Sequence, residues 1–188
     1  MNTYVLLLRG INVGGKNKVP MAALRTCLEE LGFSDVSTYI ASGNVILASN
    51  KGPDEIKAQV EEALSKSFAL DSELIKVLVL ARSQLQSVID NKPKGFGEEP
   101  EKYHSDAIFL IGVDSARAMQ LFNPREGVDK VWLGGGVIYS QRLSAERTKS
   151  RLSTIVASPL YKSMTIRSWN TITKLLQLLE VTDTRMSV

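Results

Sequence analysis

The sequence predicts an α+β fold built from two ferredoxin-like split βαβ halves, with helices added at the C-terminus. Three observations predict it. Short apolar runs alternate with helical stripes in the order β-α-β-β-α-β over residues 1–82. The same order begins again after a loop rich in proline and glycine. Between the halves, residues 36–47 (VSTYIASGNVIL) and 128–139 (VDKVWLGGGVIY) align without gaps, with Val36/Val128, Gly43/Gly135, Val45/Val137 and Ile46/Ile138 identical. Shared order together with these identities points to an internal duplication.

Residues 4–8 are a continuous apolar run, the pattern of a central strand. Pro20 can open a helix at a position where its missing N–H costs nothing. Leu24, Cys27, Leu28 and Leu31 mark one face of that helix, and Gly32 supplies its stop. Residues 36–40 and 44–48 read as strands joined by Ala41-Ser42-Gly43, a tight hairpin. Pro53, Asp54 and Glu55 start the next helix, with acids at its positive end. Ile56, Val60, Ala63 and Leu64 form its apolar side, and residues 74–80 read as a fourth strand.

A helix over 83–91 and a loop over 91–103 separate the halves, so the expected organisation is 1–82, a connecting 83–104, and 105–188. In the second half residues 107–112 form a strand and Asp114 caps a helix carrying Met119 and Phe122. Two strands then flank a glycine turn. Where a fourth strand is due, the pattern instead suggests a basic helix over 144–156, broken at Ser158-Pro159. A final helix runs from about Trp169, opened by the segment Thr165 to Thr171 and capped by Thr165 or Ser168. It carries Trp169, Ile172, Leu175, Leu176 and Leu179 as its buried face and frays after Val181.

Composition excludes several function classes. With 188 residues, one cysteine and one histidine, the chain has no internal disulfide and no Cys/His zinc site. Cys27 falls on an apolar helical stripe and reads as core packing. His104 is the one histidine available to nucleophilic catalysis. No apolar run approaches the ~20 residues of a membrane helix. Residues 5–8 are too short for a signal peptide, and Arg9 follows them, so a cytoplasmic protein without membrane partners is expected. The net charge of +3 is unevenly placed: residues 141–174 carry +6 and the remainder −3. Such asymmetry suits an anionic partner, or simply a solvated basic face.

Candidate site residues concentrate after the first strand. Gly10 to Asn17 nearly matches the phosphate-binding pattern GxxxxGK[ST]. Asn17, however, replaces the magnesium-binding hydroxyl, and Lys18-Val19-Pro20 delays the helix that should begin at the lysine. Nucleotide hydrolysis is therefore not indicated, and no cofactor follows. A looser anion site remains, made of Arg9, Asn12, Gly14, Gly15, Lys16 and Asn17, with glycine amides as donors. The alternative is that the glycines only turn the chain while the asparagines satisfy its backbone. Ser42 and Asn44 belong to the next turn, which is expected at the opposite end of the sheet from the first loop. Arg167 and Asn170 have no evident structural duty and join the candidates. The leading reading is binding of a small anionic or phosphate-bearing ligand by a loop that the ligand itself would order. The alternatives are non-specific nucleic-acid binding through the basic segments and a structural or protein-interaction role. Base stacking of the RNA-recognition type is not expected, because the third strand has no aromatic residue.

Three stretches, LLRGINVGGKNKVPM, TYIASGNVIL and TIRSWNTITKLL, resemble a bacterial family known only as a domain of unknown function, family 1697. The resemblance spans nearly the whole chain. It implies a cytoplasmic α+β protein with no established activity or ligand. In similar proteins asparagine usually follows the arginine of the last motif; here Ser168 does, which removes a side-chain amide from that position.

Overall fold

The computed structural model describes residues 1–71 and 75–186. By its internal contacts the chain divides into two compact units. One is Met1–Gln86 with Lys174–Val188, and the other is Ser87–Thr173.

In the first unit, β1 (Asn2–Arg9), β2 (Ser34–Tyr39), β3 (Asn44–Ser49) and β4 (Lys76–Ala81) form an antiparallel sheet in the order β2-β3-β1-β4. Leu74, placed in the fourth strand by the sequence pattern, lies outside the described residues. Two helices, α1 (Met21–Glu30) and α2 (Pro53–Ser67), bring Leu24, Leu28, Ile56, Val60 and Leu64 into one core cluster with Tyr4, Leu6, Leu8, Val45 and Leu47. The alternate residues Val5, Leu7, Ile46 and Ala48 are buried as well. Burial on both faces is why β1 reads as an unbroken apolar run rather than an alternating one. Each such buried leucine contributes about 1.5–3 kcal/mol.

α1 carries Cys27 differently from expectation. The residue is half-buried, its Sγ 3.6 Å from Ser67 Oγ, at a groove between α1 and α2 rather than in the core. The stretch of the last helix from Lys174 onward belongs to this unit. There the Thr3 hydroxyl donates to Asp183, and Arg82 pairs with Asp183 at 2.9 Å and Glu180 at 3.4 Å.

The second unit repeats the strand order. β5 (Tyr103–Leu110), β6 (Asp129–Leu133), β7 (Val137–Leu143) and β8 (Met164–Ser168) are ordered β6-β7-β5-β8, antiparallel throughout. α3 (Arg82–Asp90) precedes it, and α4 (Ser115–Met119) follows β5, with Asp114 accepting the Arg117 amide at 2.9 Å as its cap. Phe122 lies beyond the end of α4.

Three expectations are corrected here. A fourth strand is present, β8, formed by the residues expected to lead into and cap the last helix. α5 (Trp169–Met186) opens at Trp169 as expected, and it continues past Val181. The basic segment is not an α-helix but three 3-10 turns, Ser144–Lys149, Leu152–Ala157 and Pro159–Ser163. In the middle turn the buried residues are Leu152 and Ile155, three apart, the repeat of a 3-10 helix. Finally, the ungapped alignment of the halves is out by one. The Leu8 amide donates to Gly43 and the Leu110 amide to Gly136, so Gly43 corresponds to Gly136, not Gly135. In strands of period two, that slip exchanges the faces: Val45 shares its core position with Ile138 rather than Val137.

Candidate functional site

β1 runs antiparallel to both neighbours, pairing Leu7 with Asn44 and Arg9 with Lys76. Its exit therefore lies where β3 and β4 begin. The loop at 10–20 and the β2–β3 turn share one end of the sheet, against the expectation of opposite ends. The Leu8 amide donates to the Gly43 carbonyl at 2.8 Å, and the Asn12 side-chain amide to the Ala41 carbonyl at 2.8 Å. Gly43 makes the close approach possible. At its φ of +81°, an added Cβ would stand 2.8 Å from Leu8 Cβ and 2.9 Å from Ile11 Cδ1. Gly43→Ala is expected to cost about 2–3 kcal/mol in urea denaturation, from left-handed strain plus overpacking. Gly14→Ala, with a positive φ but open space around it, should cost about 1 kcal/mol. Equal losses would mean that the contact between the loops contributes nothing.

The opening loop is a small β-hairpin. The Asn12 amide donates to the Asn17 carbonyl at 2.9 Å, and the Lys16 amide to the Val13 carbonyl at 3.0 Å. Gly14 and Gly15, at φ of +58° and +76°, are its two turn residues, the type I′ arrangement that glycine pairs favour. Asn12 and Asn17 take left-handed conformations and hold the ends. Asn12 Nδ2 also donates to the Val19 carbonyl at 2.9 Å, and Asn12 Oδ1 accepts the Val19 amide at 2.8 Å. Asn17 Nδ2 donates to the Gly10 carbonyl at 2.8 Å, and its Oδ1 accepts the Asp71 amide at 2.9 Å.

The loop is thus fixed by its own polar network, and the expectation that a ligand orders it is overturned. The asparagines supply what the backbone lacks. One expected donor, the Lys16 amide, is spent within the hairpin. The phosphate-loop geometry is absent too, since α1 starts at Met21 with Pro20 as its cap.

What the network leaves outward is specific. Val13, Gly14, Gly15, Lys16 and Lys18 are exposed. Among the described residues, no acceptor takes the Gly14 or Gly15 amide, and no carboxylate pairs with Lys16 or Lys18. Arg9 is half-buried and, like Lys76 beside it, has interactions of its own, so it is not a free cation. Asn44 is fully buried and donates to the Tyr39 carbonyl and Ser42 Oγ, both at 2.9 Å; it builds the turn. Within that turn Ile40 has φ +50° while 52% exposed. Among the described residues, the other non-glycine positions with positive φ are Asn12, Asn17 and Asp35, types that tolerate it. A β-branched residue there costs of order 1–3 kcal/mol, and no core burial of its side chain offsets that strain.

Arg167 and Asn170 lie in the other unit. Arg167 has a structural role: it is buried in β8 and donates to Thr165 Oγ1 at 3.0 Å and to the Ile166 carbonyl at 2.9 Å. Burial pushes its guanidinium down to about 10, still charged at neutral pH. Asn170 is exposed in the first turn of α5, where Ser168 Oγ accepts the Thr171 amide at 3.3 Å. Sequence reasoning missed one cluster. His104 Nε2 lies 3.1 Å from Asp106 Oδ1, with Arg142 3.9 Å from the other oxygen, and burial raises the Asp106 carboxyl. The signal was available, because residues two apart on a strand share a face. Among the described residues, no group of three His, Cys, Asp or Glu is placed to hold a metal.

A family model described as a protein of unknown function, DUF1697, matches residues 1–139. The chain belongs to this family. It is also similar in structure to the conserved bacterial protein SP0830 from Streptococcus pneumoniae. The TM-score is 0.75 and the identity 30%, covering 95% of this chain and 98% of that one. No curated protein matches the chain. Among the described residues, no helix is long and apolar enough to cross a membrane.

Proposed function

We propose that this DUF1697 protein binds a phosphate-bearing anion at the outer tip of the hairpin at 10–20, through the Gly14 and Gly15 amides and the ammonium groups of Lys16 and Lys18. The observation that carries this reading is internal to the chain. The second half passes from β5 to α4 in four residues, 111–114, whereas the first half uses eleven, 10–20, for the equivalent link from β1 to α1. Strand order and the glycine contact at this end are the same in both halves, so the extra residues are not required by the fold. They build a projection held by its own hydrogen bonds, whose exposed polar groups include the Gly14 and Gly15 amides and the Lys16 and Lys18 ammonium groups. Preorganised amides beside positive charge favour an oxyanion.

Tripolyphosphate, titrated by calorimetry at low salt, should bind the wild-type chain. The Lys16→Ala/Lys18→Ala double variant should bind about tenfold more weakly, with an unchanged melting temperature in the absence of anion, since both side chains are exposed. Undiminished binding by the double variant would place the anion elsewhere.

A further inference from the structure

We infer that the anion recognised at this tip is the backbone of a single-stranded nucleic acid, with Val13 and Ile40 contacting its sugars and bases. This rests on the anion reading above and names its partner class. Two observations favour a polymer over a small metabolite. First, the donors lie on an exposed projection. Small-molecule sites bury roughly 70–90% of their ligand in a concavity, and a turn whose glycines and lysines all face solvent offers none. Affinity at such a surface comes from repeated contacts along a chain of charges.

Second, the cations are accompanied by presented apolar groups. Val13 is 67% exposed at the hairpin tip, and Ile40 is exposed on the neighbouring turn, tied to the hairpin through the bond from Asn12 to Ala41. An inorganic phosphate gains nothing from these side chains, whereas a nucleotide strand carries an apolar base face beside every phosphate. The strain at Ile40 fits the same reading, since an asparagine would hold that backbone at lower cost while presenting no apolar surface. Contact through either face of β3 is not available, because every residue of that strand is buried.

The test is fluorescence anisotropy with labelled dT12 and rU12 on the full chain, between 50 and 200 mM salt, with tripolyphosphate and poly-glutamate as competitors. For two lysine–phosphate contacts, the slope of log K against log salt should be roughly −1.4, falling to about −0.7 in Lys16→Ala. Ile40→Asn should raise the melting temperature of the free protein while weakening oligonucleotide binding about three- to tenfold at an unchanged salt slope. Tripolyphosphate binding that depends on the lysines, without oligonucleotide binding, would leave the anion reading standing and overturn this one. So would an Ile40→Asn variant of wild-type oligonucleotide affinity, or displacement by poly-glutamate at lower concentration than by unlabelled oligonucleotide, which would identify an acidic protein segment as the partner.

Discussion

Phe96→Ala should destabilise the protein by about 3–5 kcal/mol, the largest loss expected from any single truncation described here. Phe96 comes from the loop between α3 and β5, yet its side chain is fully buried. Its ring meets three others edge to face, with centroids 5.0 Å from Trp169, 5.1 Å from Tyr139 and 5.9 Å from Trp132. Such pairs add about 0.5–1.5 kcal/mol each beyond the area they bury. The cluster is anchored further by the Tyr139 hydroxyl, which donates to the Val88 carbonyl at 2.6 Å. Its neighbour Gly97 is needed for the same reason: a Cβ there would stand 2.4 Å from the Trp169 ring. In a chain of this length the melting temperature should fall by about 10 °C. Phe96→Leu, which keeps most of the volume, should cost less than about 1.5 kcal/mol. Calorimetry together with tryptophan fluorescence reads both effects, and a loss below 1 kcal/mol for the alanine variant would show that this loop is not part of the core.

Asn12→Ala is expected to cost about 3 kcal/mol and to abolish tripolyphosphate binding. Three hydrogen bonds disappear together. The Val19 amide, on a residue 2% exposed, is left without its acceptor, a penalty of about 1–3 kcal/mol. Alanine at φ +53° adds about 1 kcal/mol. Asn12→Asp separates the terms, because it keeps the acceptor and tolerates the backbone angle while losing both donated bonds. The loss should appear in urea denaturation and as faster amide exchange across residues 10–20. Were Asn12→Ala to leave both unchanged, the hairpin would not be held by its own network, and its tip would not be preorganised for an anion.

The opening loop illustrates how far a motif can mislead. Gly10 to Lys16 resembles a phosphate loop in residue type and in its place after a strand. The distinguishing signal is the pair of asparagines at 12 and 17, which flank Gly14-Gly15 symmetrically. That spacing makes a two-residue hairpin whose ends are held by side chains able to adopt positive φ. The residue types were legible as turn chemistry. Which groups the asparagine side chains would reach was not, since the Ala41 carbonyl and the Asp71 amide are distant in sequence.

The sequence by itself determined the α+β class, the central place of β1, and, Cys27 apart, the apolar faces of α1 and α2. These follow from short-range rules: an unbroken apolar run marks a strand covered on both faces, and Ile56, Val60 and Leu64 recur at helical spacing. Only the tertiary structure decided what depends on pairing between distant segments. Antiparallel registry of β1 with β3 brought Asn12 to Ala41, and put Asn44 in the interior rather than at a ligand. Pairing of Ala107 with Arg167 turned the segment before Trp169 into β8 and buried a cation that sequence had marked for binding. A five-residue stretch such as Met164–Ser168 has too weak a local preference to choose between strand and helix. The choice falls to the hydrogen bonds that β5 offers, and those exist only once the sheet is assembled.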